Sequence, residues 1–351
     1  MAAYHIEASL GSNPLKLKEL GEFQLIERIR QRTPVGDGVQ LGIGDDAAVV
    51  TLPEGHHLLT STDMLIENVH FRLDWTTAED LGRKAVAVNL SDIAAMGGTP
   101  RYLYLGFACP GTTGLEEINA FLDGALEEAG RYNVTLVGGD TCHSPGPWII
   151  AVTVEGSAEA GHAIGRDGAQ AGDVIMVSGT IGDSAMALHL LQNDRAPGAE
   201  LLARHHRPTP RVELGSRLGK TRIARSMIDI SDGLVGDLEH ILQASGVGAL
   251  IEEQSLPVSA AFKQHADRQP ALRELALLGG EDYELLFTTA PENEGAALAL
   301  GAELKLPVTR IGVIQNGSGT VSLRDGKGAL RPILVRGYDH FCRPGREPEK
   351  T

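Results

Sequence analysis

Aspartates recur just after short apolar runs in widely separated segments, and they are the residues through which this chain could do chemistry. Asp63 follows HHLLTST, Asp140 follows VTLVGG, Asp229 and Asp232 stand in SMIDISDG, and Asp45 and Asp46 follow VQLGIG. Apolar runs of this length bounded by Gly, Asp and Ser read as buried strands, which places these carboxylates at strand ends or in the first turn of the next element. Several such carboxylates meeting in one cleft repel one another unless a cation joins them. Hard oxygen ligands of this kind suit magnesium, which usually arrives with a phosphate substrate.

The elements that must carry these residues interleave as strand and helix, an α/β (α+β) arrangement. A helix is predicted over Glu22 to Arg32, with Phe23, Ile26 and Ile29 on one face, and the twenty residues before it lack periodicity and read as an extension. Strands follow at Ala47 to Leu52 and His57 to Thr60. From Leu81 to Met96, Val86, Leu90, Ile93 and Met96 recur at helical spacing until Gly97, Gly98 and Pro100 stop the pattern, so this helix carries Asn89, Ser91 and Asp92. The strands YLYLGFA, VTLVGGD and WIIAVTVEG and a helix near Leu115 to Tyr132 complete the first half. The Gly- and Ala-rich stretch from Gly156 to Gly172 marks the domain boundary. Beyond it lie the strand VIMVSG, a helix from Asp183 to Leu191, and a helix from Asp232 to Ala244 closed by Gly246 as its C′ residue.

A chain of 351 residues suggests two domains, and the formal charge of −15 argues against nucleic acid or an anionic membrane as partner. Cys109, Cys142 and Cys342 form no CxxC pair, which indicates neither a disulfide framework nor a zinc ribbon and fits a reducing compartment. No run is long or apolar enough for a signal peptide or a membrane span, so a cytoplasmic, soluble protein is expected.

Two phosphate-binding patterns fail on context. Gly42, Gly44 and Ala47 spell GxGxxA, yet the β-branched AVVTL that follows is strand-like where a dinucleotide fingerprint must open a helix. Gly215 to Thr221, GSRLGKT, has three residues between its glycines instead of the four of a P-loop and follows a helix, which leaves Lys220 as a solvated residue at a helix end.

The strings LGIGDDAAVV, STDMLIENVHF, AVAVNLSDIAAMGG, LVGGDT, SGTIGDSAMAL, MIDISDGLVGDL, LGGEDYELLFT and GYDHF, in that order, resemble those of thiamine-monophosphate kinase. That family belongs to the superfamily of aminoimidazole ribonucleotide synthetase and selenophosphate synthetase. The resemblance runs from Gly21 to Phe341. It implies two α/β domains, 21–155 and 156–343, between an extension (1–20) and a tail (344–351). It also implies that the amino-terminal sheets pair in a homodimer and that ATP lies in the cleft between domains. The activity implied is ATP-dependent phosphorylation of thiamine monophosphate to thiamine diphosphate.

Carried over residue by residue, the resemblance assigns magnesium to Asp46, Ser61, Thr62, Asp63, Asp92, Asp140, Asp229 and Asp232. It assigns ATP to Gly139, Asp140, Arg166 and Ser231, and thiamine phosphate to His70, Glu281 and Tyr338. Glu281 could balance the cationic thiazolium and Tyr338 stack on a ring. Each residue also has an ordinary reading: cap or turn for an aspartate, exposed side chain for Arg166, packed residue for His70, turn residue for Glu281, tail anchor for Tyr338. Asp45 reads as a turn residue or as support for its neighbours. The basic HHRPTPR segment, His205 to Arg211, reads as solvated surface. The alternatives are another ATP-dependent enzyme of the superfamily, which would want a reactive cysteine that this chain does not place, and a non-enzymatic divalent-cation binder, for which no twelve-residue calcium loop is found.

Overall fold

The computed structural model describes residues 16–44, 47–317 and 319–333. In chain order its first half holds α1 (Leu17–Leu20), α2 (Glu22–Arg32), β1 (Val39–Leu41), β2 (Val49–Val50), β3 (His56–Ile66), α3 (Ala78–Ala95), β4 (Thr99–Cys109), α4 (Leu115–Arg131), β5 (Thr135–His143) and β6 (Ile149–Glu159). The second half holds β7 (Val174–Ser178), α5 (Asp183–Gln192), α6 (Ala199–His206), α7 (Val212–Thr221), β8 (Ala224–Asp229), α8 (Leu234–Ser245) and β9 (Gly248–Glu252). It ends with α9 (Ala260–Arg268), α10 (Leu275–Leu278), β10 (Leu285–Thr289), α11 (Glu294–Glu303), β11 (Val308–Gln315), β12 (Val321–Arg324) and β13 (Leu330–Ile333).

Two sheets organise the molecule: a four-stranded one in the order β3-β6-β4-β5 and a seven-stranded one in the order β13-β12-β9-β11-β7-β10-β8. In the first, β4 and β5 run parallel and the other pairs antiparallel. Its alternate residues Leu103, Leu105, Phe107, Ile150, Val152 and Val154 are buried in a core shared with α3 and α4. On the opposite face Leu58 and Met64 stay about half exposed, at 49% and 52%. Alternation along a strand makes that face a second, open side of the sheet.

Helix α3 is the hinge of the architecture. Thr77 caps it by accepting the Asp80 amide at 3.0 Å, with Glu79 and Asp80 in the first turn where the helix dipole favours acids. Leu81, Val86, Leu90 and Ile93 are buried, each contributing about 1.5–3 kcal/mol by removal from water. Almost the whole circumference is covered: α4, β3 and β6 contact it on one side, α7 and β8 on another. A helix buried all round must give each polar residue on it a partner. Lys84, Asn89, Ser91 and Asp92 therefore project into the junction between the two sheets.

Several expectations are corrected by these elements. The strand after residue 55 extends through Ile66, so Asp63 sits inside β3, and Asp140 sits inside β5; neither emerges at a strand end. Asp229 does end β8. Residues 17–20 form a helical turn docked by backbone hydrogen bonds on Gly111 and Thr113, where an aperiodic extension was expected. Both decoy patterns resolve against phosphate loops: Val39–Leu41 and Val49–Val50 pair as a small hairpin, and GSRLGKT lies within α7 with Lys220 exposed in its last turn. Gly246 takes the left-handed C-cap conformation, φ 68° and ψ 33°.

Candidate active site

Four carboxylates from three separate segments meet where α3, β3 and β8 converge. Ser61 Oγ donates to Asp92 Oδ2 at 2.6 Å, and Ser91 Oγ donates to Asp229 Oδ2 at 2.6 Å, the second bond joining the two halves of the chain. The Asp63 amide, which faces away from the β6 ladder, donates to Asn89 Oδ1 at 3.1 Å. Burial raises the Asp63, Asp92 and Asp229 carboxyls, and the mutual repulsion of Asp63, Asp92, Asp229 and Asp232 raises them further. Arg166, though exposed, is the cation whose field opposes this at Asp92. Such a cluster holds protons or cations at neutral pH.

The oxygen donors gathered here fit magnesium. They are hard oxygens: carboxylates, and the hydroxyl of Ser61 that bonds Asp92. Among the described residues no three His, Cys, Asp or Glu gather tightly enough to hold one ion by themselves. Magnesium keeps several waters and takes one or two carboxylates plus phosphate oxygens, so a spread set of acids suits it better than a tight protein cage would.

Asp140 and Gly139 do not join the cluster within one copy of the chain. The register aligns Asp63, Val152, Leu105 and Gly139 in one row across the sheet and Met64, Ala151, Gly106 and Asp140 in the next. Asp63 and Asp140 thus lie on opposite edge strands, roughly 14 Å apart at about 4.8 Å per strand, and point to opposite faces. Thr62 also belongs to the open face, where its hydroxyl meets Thr153 Oγ1 at 2.9 Å. Gly139 has a local reason to be glycine: a Cβ there would stand 2.0 Å from the Leu105 carbonyl of the neighbouring strand. Asp45, Asp46 and Tyr338 lie outside the described residues.

The turn that carries Asp232 and Ser231 is held by a residue that sequence reasoning passed over. Asp237, in the first turn of α8, accepts the amides of Ser231 and Asp232 through Oδ2, both at 3.0 Å, and burial pushes its carboxyl up to about 7. A second segment is welded to this turn: the Glu281 amide donates to the Ser231 carbonyl at 2.8 Å and the Tyr283 amide to that of Ile230 at 2.9 Å. Contact is so close that a Cβ on Gly280 would lie 2.1 Å from the Ser231 carbonyl. Glu281 and Tyr283 both take left-handed backbone, φ 65° and 52°, a conformation costing non-glycine residues on the order of 1 kcal/mol or more unless surroundings impose it. Tyr283 is buried with Glu281, Asp229, Asp63 and Asp92 around it, and burial and that field raise its hydroxyl.

Glu281 is not a free counter-ion. Lys84 Nζ lies 2.9 Å from its Oε1 and His205 Nδ1 3.3 Å from its Oε2. The charge of Lys84 holds the Glu281 carboxyl low against its burial, and the same burial together with Lys84 drives His205 down to about 3. His205 is therefore a neutral contact of Glu281 and not the cationic half of an ion pair. Its Nδ1 also meets Ser184 Oγ at 2.9 Å; both contacts fall on one ring nitrogen and Ser184 is buried, so this is no nucleophile relay. His70 accepts the Ile66 amide at Nδ1, 3.0 Å, and lies within the field of both Asp63 and Glu281, linking the carboxylate cluster to the Glu281 end.

The HHRPTPR segment corrects the expectation of a solvated cluster. His205 and His206 are buried, and Arg211 closes on Glu284, which is fully buried. Arg204 Nη2 reaches Glu284 Oε1 at 2.6 Å, Arg211 Nε reaches Oε2 at 2.6 Å, and Ser178 Oγ completes the set at 2.5 Å. Basic residues beside prolines look alike whether they face water or a distant carboxylate. Their spacing carried no sign of Glu284.

Comparison with known proteins agrees with this architecture. Residues 44–158 match the N-terminal domain and residues 170–324 the C-terminal domain of AIR synthase related protein. A thiamine-monophosphate kinase of Haemophilus influenzae is 44% identical over 92% of this chain and 98% of its own. The crystal structure of thiamine-monophosphate kinase from Stenotrophomonas maltophilia superposes with a TM-score of 0.78 at 43% identity, covering 87% of this chain and 96% of that one. The structure of AaThiL complexed with AMPPCP and TMP superposes with a TM-score of 0.73 at 34% identity, covering 94% of this chain and all of that one. The chain belongs to the AIR synthase related family and, within it, to the thiamine-monophosphate kinases.

Proposed function

We propose that this protein transfers the γ-phosphoryl group of ATP to thiamine monophosphate, forming thiamine diphosphate. The observation that carries this reading is the meeting of Asp63, Asp92, Asp229 and Asp232 with Arg166 at the junction of the two sheets. The structure bound to AMPPCP and TMP supports it in a relative that aligns over nearly the whole chain.

The acceptor is the phosphate of thiamine monophosphate, whose second pKa near ~6 leaves it mostly dianionic at neutral pH. Its oxygen is already a nucleophile, so no general base is assigned. Repulsion between that dianion and the nucleotide is the obstacle. Magnesium held by Asp63, Asp92, Asp229 and Asp232 would neutralise phosphate charge and favour in-line transfer. Arg166 adds a cation at the same cluster, and Ser231, on the turn held by Asp237, can donate to a phosphate oxygen. His70, in the field of both Asp63 and Glu281, takes the thiamine end together with Glu281.

Gly139 and Asp140 enter this site from a second copy of the chain. The open sheet face exposes Leu58 and Met64, and both β3 and β5 are edge strands, the usual prelude to pairing. A homodimer that pairs these edges would set β5 of one subunit beside β3 of the other, and with it Asp140 near that subunit's cluster. Among the described residues no helix is long and apolar enough to cross a membrane. A coupled assay for thiamine diphosphate, with thiamine monophosphate, ATP and magnesium omitted in turn, tests the function: turnover needs all three, and product formed without ATP ends the proposal.

A further inference from the structure

Lys84 is the charged residue of the junction to which neither the phosphate chemistry nor the substrate contacts assign a task. It is 4% exposed, so its ammonium cannot reach a substrate in the cleft. It stands seven residues before Ser91, on the same face of α3, and so the helix sends Lys84 to Glu281 and Ser91 to Asp229 two turns apart. Both bonds cross from the four-stranded half to the seven-stranded half.

Glu281 needs such an anchor. Its backbone is left-handed, its amide is tied to Ser231, and its side chain remains 26% exposed. One carboxylate oxygen faces Lys84 and the other His205, so the plane of the group is set while lone pairs on its open side stay available. We infer that Lys84, with His205 as the second contact, is a positioning residue that orients Glu281 for the cationic end of the substrate. The inference rests on the reading of Glu281 as a thiamine-phosphate contact. A carboxylate orienting one end of one substrate governs the affinity for that substrate and leaves nucleotide binding alone.

Steady-state kinetics of the full-length protein test this, using Lys84→Met, Lys84→Arg, Glu281→Gln and the double variant Lys84→Met/Glu281→Gln. Lys84→Met is expected to raise KM for thiamine monophosphate about tenfold while KM for ATP and kcat stay within about threefold. Lys84→Arg, which keeps the cation, should recover most of that loss. The double variant removes both charges, leaves no unpaired ion, and should match Glu281→Gln alone. It also serves if Lys84→Met by itself does not fold. Equal rises in KM for both substrates, or a further tenfold rise when Lys84→Met is added to Glu281→Gln, overturns the inference. If Glu281→Gln leaves KM for thiamine monophosphate unchanged, the contact reading of Glu281 fails first, and an inactive wild-type enzyme refutes the kinase function itself.

Discussion

Two buried acidic centres lie close together in this molecule and are built on opposite terms. Glu284 is enclosed by Arg204, Arg211 and Ser178, so its charge is more than matched inside the protein. Asp92 and Asp229 receive hydroxyls from Ser61 and Ser91 and otherwise lie in the field of neighbouring carboxylates, Asp229 and Asp63 at Asp92, Asp237 and Asp63 at Asp229, with Arg166 opposing it at Asp92. The first centre is electrostatically complete and belongs to the framework. The second is incomplete without a cation, and an arrangement that stores repulsion at the junction of two sheets is what a site for phosphate and metal requires.

The widest separation between the centres should come from neutralising one acid in each. Asp229→Asn is expected to lower kcat/KM roughly a thousandfold, about 4 kcal/mol of transition-state stabilisation, with thermal stability retained or improved because repulsion is relieved. Glu284→Gln leaves two guanidinium groups facing a neutral amide and should cost about 3–5 kcal/mol of folding stability. Thermal unfolding and initial rates on both variants measure the contrast. An Asp229→Asn enzyme with near-normal activity would remove the metal role.

Asp140 sharpens the comparison, since the proposed homodimer would divide the site between subunits. Asp140→Asn should lose turnover far more than stability. When Asp140→Asn and Asp229→Asn proteins are unfolded together and refolded at equal ratio, half the dimers are mixed and each mixed dimer carries one intact site, so about a quarter of wild-type activity should return. Activity that stays at the level of the separate variants would place Asp140 in the same subunit's site or outside the chemistry.

A smaller effect concerns the neutral His205 between the two centres. Its pKa, about 3 in the folded protein against an ordinary value of 6.5, means that the unfolded chain takes up the proton first as pH falls. Stability associated with this residue is intact above pH 6.5 and is lost progressively toward pH 3, by roughly 2 kcal/mol at pH 5. Urea denaturation at pH 7.5 and pH 5 should therefore show a smaller acid loss in His205→Asn than in the wild type. Least of all, Ser91→Ala should cost about 1 kcal/mol net in thermal unfolding with magnesium present, because the ion takes over part of the bond that the hydroxyl made to Asp229.

Much of the molecule was readable before its structure, and the unread part has a common cause. Helix α3 was expected over Leu81 to Met96 and spans Ala78–Ala95, and α8 was expected from Asp232 but starts at Leu234, because helical periodicity and Gly or Asp boundaries are local signals. β3 outran its expected end because Ser61, Thr62 and Asp63 break the apolar pattern while still pairing with β6. Lys84 and His205 were missed because a lysine in a helix and a histidine in a basic run look solvated until a distant segment covers them.

By itself the chain determined which residues could bind cations and phosphate: the aspartates, their Gly- and Ser-rich neighbours, and the elements that hold them, all of which follow from local composition and periodicity. Tertiary structure alone decided which of these acids meet. It joined Asp63, Asp92, Asp229 and Asp232, set Asp140 on the far edge of the sheet, paired Glu281 with Lys84, and closed Glu284 with two arginines. The physical reason is that the energy of a carboxylate depends on the charges and solvent within a few ångströms of it, and those neighbours come from segments many residues away in sequence.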